Sequence, residues 1–441
     1  MSEFKNPTTE QEYHRNFEQI KPLMNDTQAY YESSRCLFCY DAPCVTACPT
    51  HIDIPLFIRQ INSGNTAGAA KTIYDSNYFG NTCGKVCPTE VLCEGACVYN
   101  LQEVKAIEIG RLQTFATTKV ISENKRLFSS GRSNGKKVAV IGAGPAGISC
   151  ACMLRSKGYE VDIYEAKEKP SGLTLYGVAP YKITNEEALK EINYLQEQFD
   201  FKINFNTPFV SGEQFKDLEN KYDAIFLGIG LGETSSIRIK GEELANCLGA
   251  VEFISELRIN QHKTKIGKKV IVLGGGNTAM DAASESARLG AEKVILSFRR
   301  SVSNLRAYYF EYELAKSVGV HGMFNVSPVE ITGNGKVEGV KFARTKVING
   351  KLENIPGSEF IESCDMVIKA TGQTKQVGIL KNISGLKTDE LGRVIADAKT
   401  FQTDNPKYFA AGDVYNGGVE VVNAVAEAIL AAKGIDNWLN S

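Results

Sequence analysis

Eight of the chain's twelve cysteines crowd between Cys36 and Cys97. They read C-x2-C-x4-C-x3-C-P over Cys36, Cys39, Cys44 and Cys48, then C-x3-C-P-x5-C-x3-C over Cys83, Cys87, Cys93 and Cys97. Thiolate is the soft ligand that holds iron–sulfur clusters, and two clusters need about eight such ligands. A cysteine followed by proline at the close of a spaced run is a pattern in which the last thiolate serves a second cluster. Zinc competes, but a zinc module would show paired C-x2-C knuckles or histidines, and only Cys36 and Cys39 form such a pair. A disulfide scaffold belongs to short secreted chains. Two iron–sulfur clusters are the expected chemistry, and His51, beside a complete thiolate set, is expected to be structural.

Two further stretches bind nucleotides. KVAVIGAGPAG (Lys137–Gly147) is a β-branched strand running into G-x-G-x-x-G at Gly142, Gly144 and Gly147. The glycines permit a tight turn, approach of a pyrophosphate and close helix–strand packing, and the following helix start favours phosphate charge. The next strand, EVDIY, ends on Glu165, an acid placed to accept from a ribose hydroxyl. KVIVLGGGNTAMD (Lys269–Asp281) repeats the pattern with Gly274, Gly276 and Ala279, but its next strand ends on Arg299 and Arg300, with Arg306 close downstream. Cations there suit the 2′-phosphate of NADP rather than the 2′-hydroxyl of NAD. NADPH is the expected donor, with NADH possible. FLGIG, VIKATG ending at Gly372, and FAAGD with Gly412 and Asp413 are further strand ends.

The elements that hold these stretches follow from periodicity. Tyr13, Phe17, Ile20 and Met24 recur at helical spacing near the N-terminus. Ile54, Phe57, Ile58 and Ile61 mark a helix between the cysteine blocks, with Asp53 as N-cap, Pro55 in the first turn and Gly64 as stop. Residues 100–118 read as helix, carrying Gln113. From Ser122 to Gly135 the chain turns polar, which marks a boundary. At 441 residues, 43% hydrophobic and 23% charged, about three soluble domains are expected. The net charge of −1 gives no reason to expect nucleic acid or an anionic membrane, and no apolar run is long enough for a spanning helix. Clustered free thiols and the lack of an export signal in Met1–Thr50 suggest the cytoplasm.

The order of cysteine blocks, IGAGPAG, GGGNTAMD, ATG and AAGD resembles the flavin half of dihydropyrimidine dehydrogenase and its relative, the small subunit of glutamate synthase, over essentially the whole chain. CLFCYDAPCVTACPTHIDI, NTCGKVCPTEVLCEGAC, IEIGRLQTFA and RRSVSNLRA lean towards the first. The resemblance implies an α/β protein: an N-terminal all-α iron–sulfur domain (1–125), an FAD domain (137–238 and 365–441) and an NAD(P) domain (239–364), the last two nested as in glutathione reductase. It implies two [4Fe–4S] clusters, one on Cys36, Cys39, Cys44 and Cys97, the other on Cys48, Cys87, Cys93 and Gln113, with Cys83 left out although a bare count would use it. FAD would contact Gly142, Gly144, Pro145, Ala146, Gly147, Glu165, Gly172, Leu173, Lys182, Gly412, Asp413 and Val422. NADPH would contact Gly274, Gly276, Asn277, Thr278, Arg299, Arg300, Arg306 and Gly372. Two departures stand out: VAPYKIT puts Lys182 where relatives have arginine, and YYFEYE replaces a P-E-E turn. No stretch encodes an FMN barrel. The resemblance therefore implies an electron-input subunit whose partner is an FMN-containing catalytic subunit acting on uracil or thymine, with the glutamate synthase large subunit as the second choice. A zinc-loaded, non-catalytic redox sensor is the alternative of another class.

Overall fold

The computed structural model describes residues 4–441. In chain order its strands are β1 (Lys137–Ile141), β2 (Glu160–Tyr164), β3 (Lys202–Asn204), β4 (Ala224–Leu227), β5 (Cys247–Gly249), β6 (Lys269–Leu273) and β7 (Lys293–Phe298). They continue with β8 (Val320–Phe324), β9 (Val326–Gly333), β10 (Val337–Ile348), β11 (Lys351–Asn354), β12 (Phe360–Ser363), β13 (Met366–Lys369) and β14 (Tyr408–Ala410). Contacts divide the chain into two units. The larger holds residues 20–175, 182–232 and 375–441; the smaller holds the chain up to Gln19, residues 176–181 and 233–374.

Each unit is built on a five-stranded parallel sheet. The larger has the order β14-β4-β1-β2-β3, and the smaller β5-β13-β6-β7-β8. In both, the strand that feeds the glycine turn lies inside the sheet, and β1 and β6 bury every residue after their first. Parallel strands covered on both faces read as unbroken apolar runs, which is why KVAVI and KVIVL carry no alternation. The smaller unit adds an antiparallel sheet in which β10 pairs with β9, β11 and β12.

In the larger unit the cysteine blocks are spaced by helices. Ile54–Asn62 buries Ile54, Phe57, Ile58 and Ile61, and Asp53 caps it by accepting from the Leu56 N–H at 3.1 Å. Gly64, at φ +79°, ends it. Helices Thr66–Ser76, Gly80–Val86 and Ile109–Ser122 share one apolar core with β1, β2 and the C-terminal helix Val421–Asn440.

Two expectations from periodicity change. The stripe Tyr13, Phe17, Ile20, Met24 is not one helix: a helix spans Glu10–Asn16 and the next starts at Asp26. Pro22 cannot continue a helix, and Asn25 caps a new one. Tyr13 and Phe17 are buried in the smaller unit's core, Met24 in the larger unit's, and Ile20 is exposed. Nor is 100–118 continuous helix. A 3-10 turn covers Val98–Gln102, Glu103 sits in the left-handed region at φ +57°, and the α-helix starts at Ile109. Among the described residues no helix is long and apolar enough to cross a membrane.

Candidate functional site

The thiols fall into two neighbouring groups in the larger unit. Cys36, Cys39, Cys44 and Cys97 line one apolar-walled cavity with about 390 Å³ of empty space, part of it open to solvent. Its walls include Pro43, Ile54, Ile58 and Ile107, so the helix Ile54–Asn62 presents its first turns to the thiols. Phe38, between the first two cysteines, takes φ +51°, which lets the chain wrap round the cavity. The second group gathers Cys48, Cys83, Cys87 and Cys93. A hydrogen bond with Cys83, then burial, and then the nearness of Cys83, Cys93 and Cys48 push the Cys87 thiol well above its usual range. Burial likewise raises Cys36 and Cys93, and Cys44 to about 12. Held away from water, these thiols would ionise only beside a cation, which an iron–sulfur cluster would supply. All twelve cysteines are free, and no three His, Cys, Asp or Glu side chains among the described residues gather tightly enough to hold a single metal ion. Thiols spread round a cavity suit a multi-iron cluster better than one zinc ion.

Gln113 and Cys83 differ in what engages them. Gln113 is buried and its Nε2 donates to the Gly80 carbonyl at 2.6 Å, so ligation of a metal would fall to its Oε1. Cys83 is buried, with Sγ 3.9 Å from Asn77 Oδ1.

The first glycine turn is closed by its own unit. Gly142 has φ +100°, and a Cβ there would lie 2.4 Å from the Gly228 carbonyl. A Cβ on Gly147 would lie 1.9 Å from the Gly142 carbonyl. Gly144 is open, with only the Gly172 Cα, at 3.8 Å, near where its Cβ would stand. Pro145 opens the helix Pro145–Ser156 at a position whose N–H would have no helical partner, and Ala146 and Gly147 follow, buried. Glu165, buried, accepts from the Ala143 N–H through Oε2 (2.7 Å) and from the Lys167 N–H through Oε1 (2.9 Å). It therefore braces the turn. Leu173 begins a short helix beside Gly172, Lys182 is buried, and Val422 is buried in the first turn of Val421–Asn440. Gly412, at φ +73°, packs against Ala146, and Asp413 starts the helix Asp413–Asn416. Burial raises the Asp413 carboxyl. The open Gly144 beside a helix start leaves the room a pyrophosphate needs, so the residues fit FAD.

The second turn, in the smaller unit, is more open. Gly274 is forced, since its Cβ would lie 2.4 Å from the Ala370 carbonyl, but Gly276 and Gly372 have nothing within 4 Å of theirs. Ala279 is fully buried and already carries the Cβ that Gly147 excludes. The helix Asn277–Arg288 starts here; Asn277 Oδ1 accepts from the Tyr308 N–H at 3.1 Å, and Thr278 is exposed. The Arg306 N–H donates to the Gly275 carbonyl at 2.9 Å, which seats this arginine on the glycine turn. Arg299, Arg300 and Arg306 are exposed, and none makes an ion pair among the described residues. Three such cations near one glycine turn fit a phosphate-bearing nucleotide.

Sequence reading missed residues that have no motif. Glu427 accepts from the Gly412 N–H (2.9 Å) and from Asn416 Nδ2 (3.0 Å). Lys375 donates to the Gly417 carbonyl at 2.9 Å; burial lowers its pKa and Asp413 opposes that. Glu191 is fully buried and binds the first turn of Gly80–Val86. Each is a polar residue on a helix or loop whose partner is remote in sequence.

Comparison with known proteins places the chain among characterised families. Residues 13–125 match the family model described as dihydropyrimidine dehydrogenase domain II, 4Fe-4S cluster, and residues 136–428 match pyridine nucleotide-disulphide oxidoreductase. The chain is 35% identical to the glutamate synthase [NADPH] small chain of Escherichia coli K12, over 96% of this chain and 94% of that one. It is 31% identical to the NAD-dependent dihydropyrimidine dehydrogenase subunit PreT of the same organism, over 96% and 97%. FprA of Mycobacterium tuberculosis shares the fold, with a TM-score of 0.59 at 20% identity, over 69% of this chain and 85% of that one. The chain thus belongs to the pyridine nucleotide-disulphide oxidoreductase family, in its group of NAD(P)H-dependent oxidoreductase subunits that use FAD and 4Fe–4S clusters.

Proposed function

We propose that this chain is the electron-input subunit of a two-component enzyme, taking electrons from NADPH and handing them singly to a partner flavoprotein. When bound, FAD and the nicotinamide supply hydride chemistry and two [4Fe–4S] clusters supply one-electron transfer. The chain's own residues bind and orient. Gly142, Gly144, Gly147 and Glu165 shape the FAD pyrophosphate turn, with Gly172, Leu173, Lys182, Gly412, Asp413 and Val422 around the remainder. Gly274, Gly276, Asn277, Thr278 and Gly372 receive NADPH, and Arg299, Arg300 and Arg306 hold its 2′-phosphate. Cys36, Cys39, Cys44 and Cys97 hold one cluster, and Cys48, Cys87, Cys93 and Gln113 the other. No side-chain nucleophile or general acid is needed. The observation that carries this reading is the cavity that brings Cys97 to Cys36, Cys39 and Cys44 in the unit that also holds the FAD-type turn.

The proposed partner is an FMN-containing subunit of the dihydropyrimidine dehydrogenase type, supported by the likeness to PreT and by the match over residues 13–125. A second reading, the glutamate synthase large subunit, is favoured by the higher identity to that small chain, 35% against 31%. Copurification of the native chain separates them. The expected protein is yellow-brown, oxidises NADPH with ferricyanide, and reduces uracil only once the FMN subunit is added. A colourless, zinc-loaded protein would sink the electron-transfer reading. Recovery with a glutamate synthase large subunit would replace the pyrimidine partner.

A further inference from the structure

The buried carboxylate of Glu191 stands where three helices of the larger unit meet. It lies on Asn185–Phe199, the helix that follows Lys182, and is completely buried. Oε1 accepts from the Asn81 N–H at 2.6 Å and from the Tyr74 hydroxyl at 3.1 Å. Oε2 accepts from the Thr82 N–H at 2.9 Å and from Thr82 Oγ1 at 2.5 Å. Four donors from two helices thus converge on one side chain of a third, and the first turn of Gly80–Val86 is fixed by it. A buried carboxylate so satisfied holds its partners in one geometry, because any displacement leaves charge-bearing oxygens unpaired.

That first turn is also what orients Gln113. The Gly80 carbonyl, beside the two N–H groups that Glu191 holds, accepts from Gln113 Nε2 at 2.6 Å. A second route runs through Asn81, whose Nδ2 donates to Thr117 Oγ1 (3.0 Å) and Thr118 Oγ1 (2.7 Å). Thr117 Oγ1 in turn donates to the Gln113 carbonyl at 2.8 Å. Side chain and backbone of Gln113 are therefore both tied to the peptide that Glu191 anchors. A neutral amide is a weak metal ligand beside thiolate, so its aim depends on such supporting bonds more than a thiolate's does.

We propose that Glu191 is a positioning residue for electron transfer: from the helix that follows the flavin-type loops it fixes the 80–82 peptide, and that peptide aims the amide of Gln113 at the second cluster. This rests on Gln113 being a ligand, as proposed above. Its corollary is that the helix Asn185–Phe199, which packs on the helices Gly80–Val86 and Ile109–Ser122, is part of the cluster's support.

The test is the electron paramagnetic resonance spectrum of the dithionite-reduced holoprotein, with iron content and retained FAD as checks on folding. Gln113→Ala, Glu191→Gln and the double variant are compared with wild type. Glu191→Gln keeps the shape but turns an amide NH2 towards backbone N–H groups. The expected result is that Gln113→Ala and Glu191→Gln displace the lines of the same one of two cluster signals, and that the double variant matches Gln113→Ala alone. An altered spectrum for Gln113→Ala with a wild-type spectrum for Glu191→Gln overturns this inference and leaves the ligand reading standing. A wild-type spectrum for Gln113→Ala overturns both. Should Glu191→Gln fail to retain FAD, Thr82→Val removes only the 2.5 Å bond from a side chain of the same shape. It is expected to displace the same signal by less, and an unchanged signal there also refutes the positioning role.

Discussion

The two glycine turns share a pattern and differ in what surrounds it. In the larger unit the turn is closed from within. Gly147 leaves no room for a Cβ, and the strand-end acid Glu165 hydrogen-bonds the turn's own backbone. In the smaller unit the third small residue is Ala279, Gly276 faces open space, and the strand-end arginines have no acidic partner among the described residues. One turn is braced by its own strand-end acid; the other is left open, with exposed positive charge beside it. A single fingerprint can thus be surrounded differently, depending on how the residue at the next strand end is employed.

The sharpest way to break this contrast is to exchange the third small residue. Gly147→Ala would put a Cβ 1.9 Å from the Gly142 carbonyl. Overpacking of backbone on backbone should cost on the order of 3 kcal/mol, and FAD should be lost on gel filtration. Ala279→Gly should cost only about 1 kcal/mol, as a glycine inside a helix does, with NADPH binding kept. Equal loss in thermal melts would show that the two turns pack alike.

The arginines come next. Arg299→Ala with Arg300→Ala should raise KM for NADPH by about tenfold to a hundredfold per residue, from roughly 1.5–3 kcal/mol for each charge-assisted contact. KM for NADH should barely move. Equal loss with both nucleotides would refute the 2′-phosphate assignment. On the other turn, Glu165→Gln leaves one backbone N–H facing an amide NH2. It should weaken FAD retention by about 1–2 kcal/mol, read by dialysis against FAD-free buffer, without altering KM for NADPH. A change in NADPH binding but not in FAD would reverse the roles given to the two turns.

The smallest effect concerns acid. In the smaller unit, burial pushes the Glu242 carboxyl up, but hydrogen bonds from Lys369, the Ile239 N–H and Ser236 outweigh it and hold it at about 2. A carboxyl lowered on folding contributes stability that is fully present above its unfolded value near 4.5 and is lost as pH falls towards 2. Glu242→Gln should flatten the fall in urea midpoint over that window. In the larger unit, burial raises Glu427 instead, so Glu427→Gln should not flatten it. Identical acid profiles for the two variants would remove the distinction.

What could be read from the sequence was what short-range physics writes there. Glycine turns after β-branched runs, the Asp53 cap and the Ile54–Ile61 stripe are local, and they reappear as the elements they suggest. The residue type at each strand end, Glu165 against Arg299 and Arg300, was equally visible. Other features were decided by packing between remote segments. Cys97 joins Cys36, Cys39 and Cys44 because Ile54, Ile58, Ile107 and Ile109 build one wall round all four. The N-terminal stripe splits because Pro22 and Asn25 interrupt it and each half finds a different core. Glu165 braces its own turn, and Glu191 reaches Asn81 and Thr82, because a buried carboxylate must take every donor that the fold brings near it. Periodicity and motif reach only as far as a hydrogen-bonded turn or a strand pair. The convergence of side chains a hundred residues apart is fixed only when the core closes.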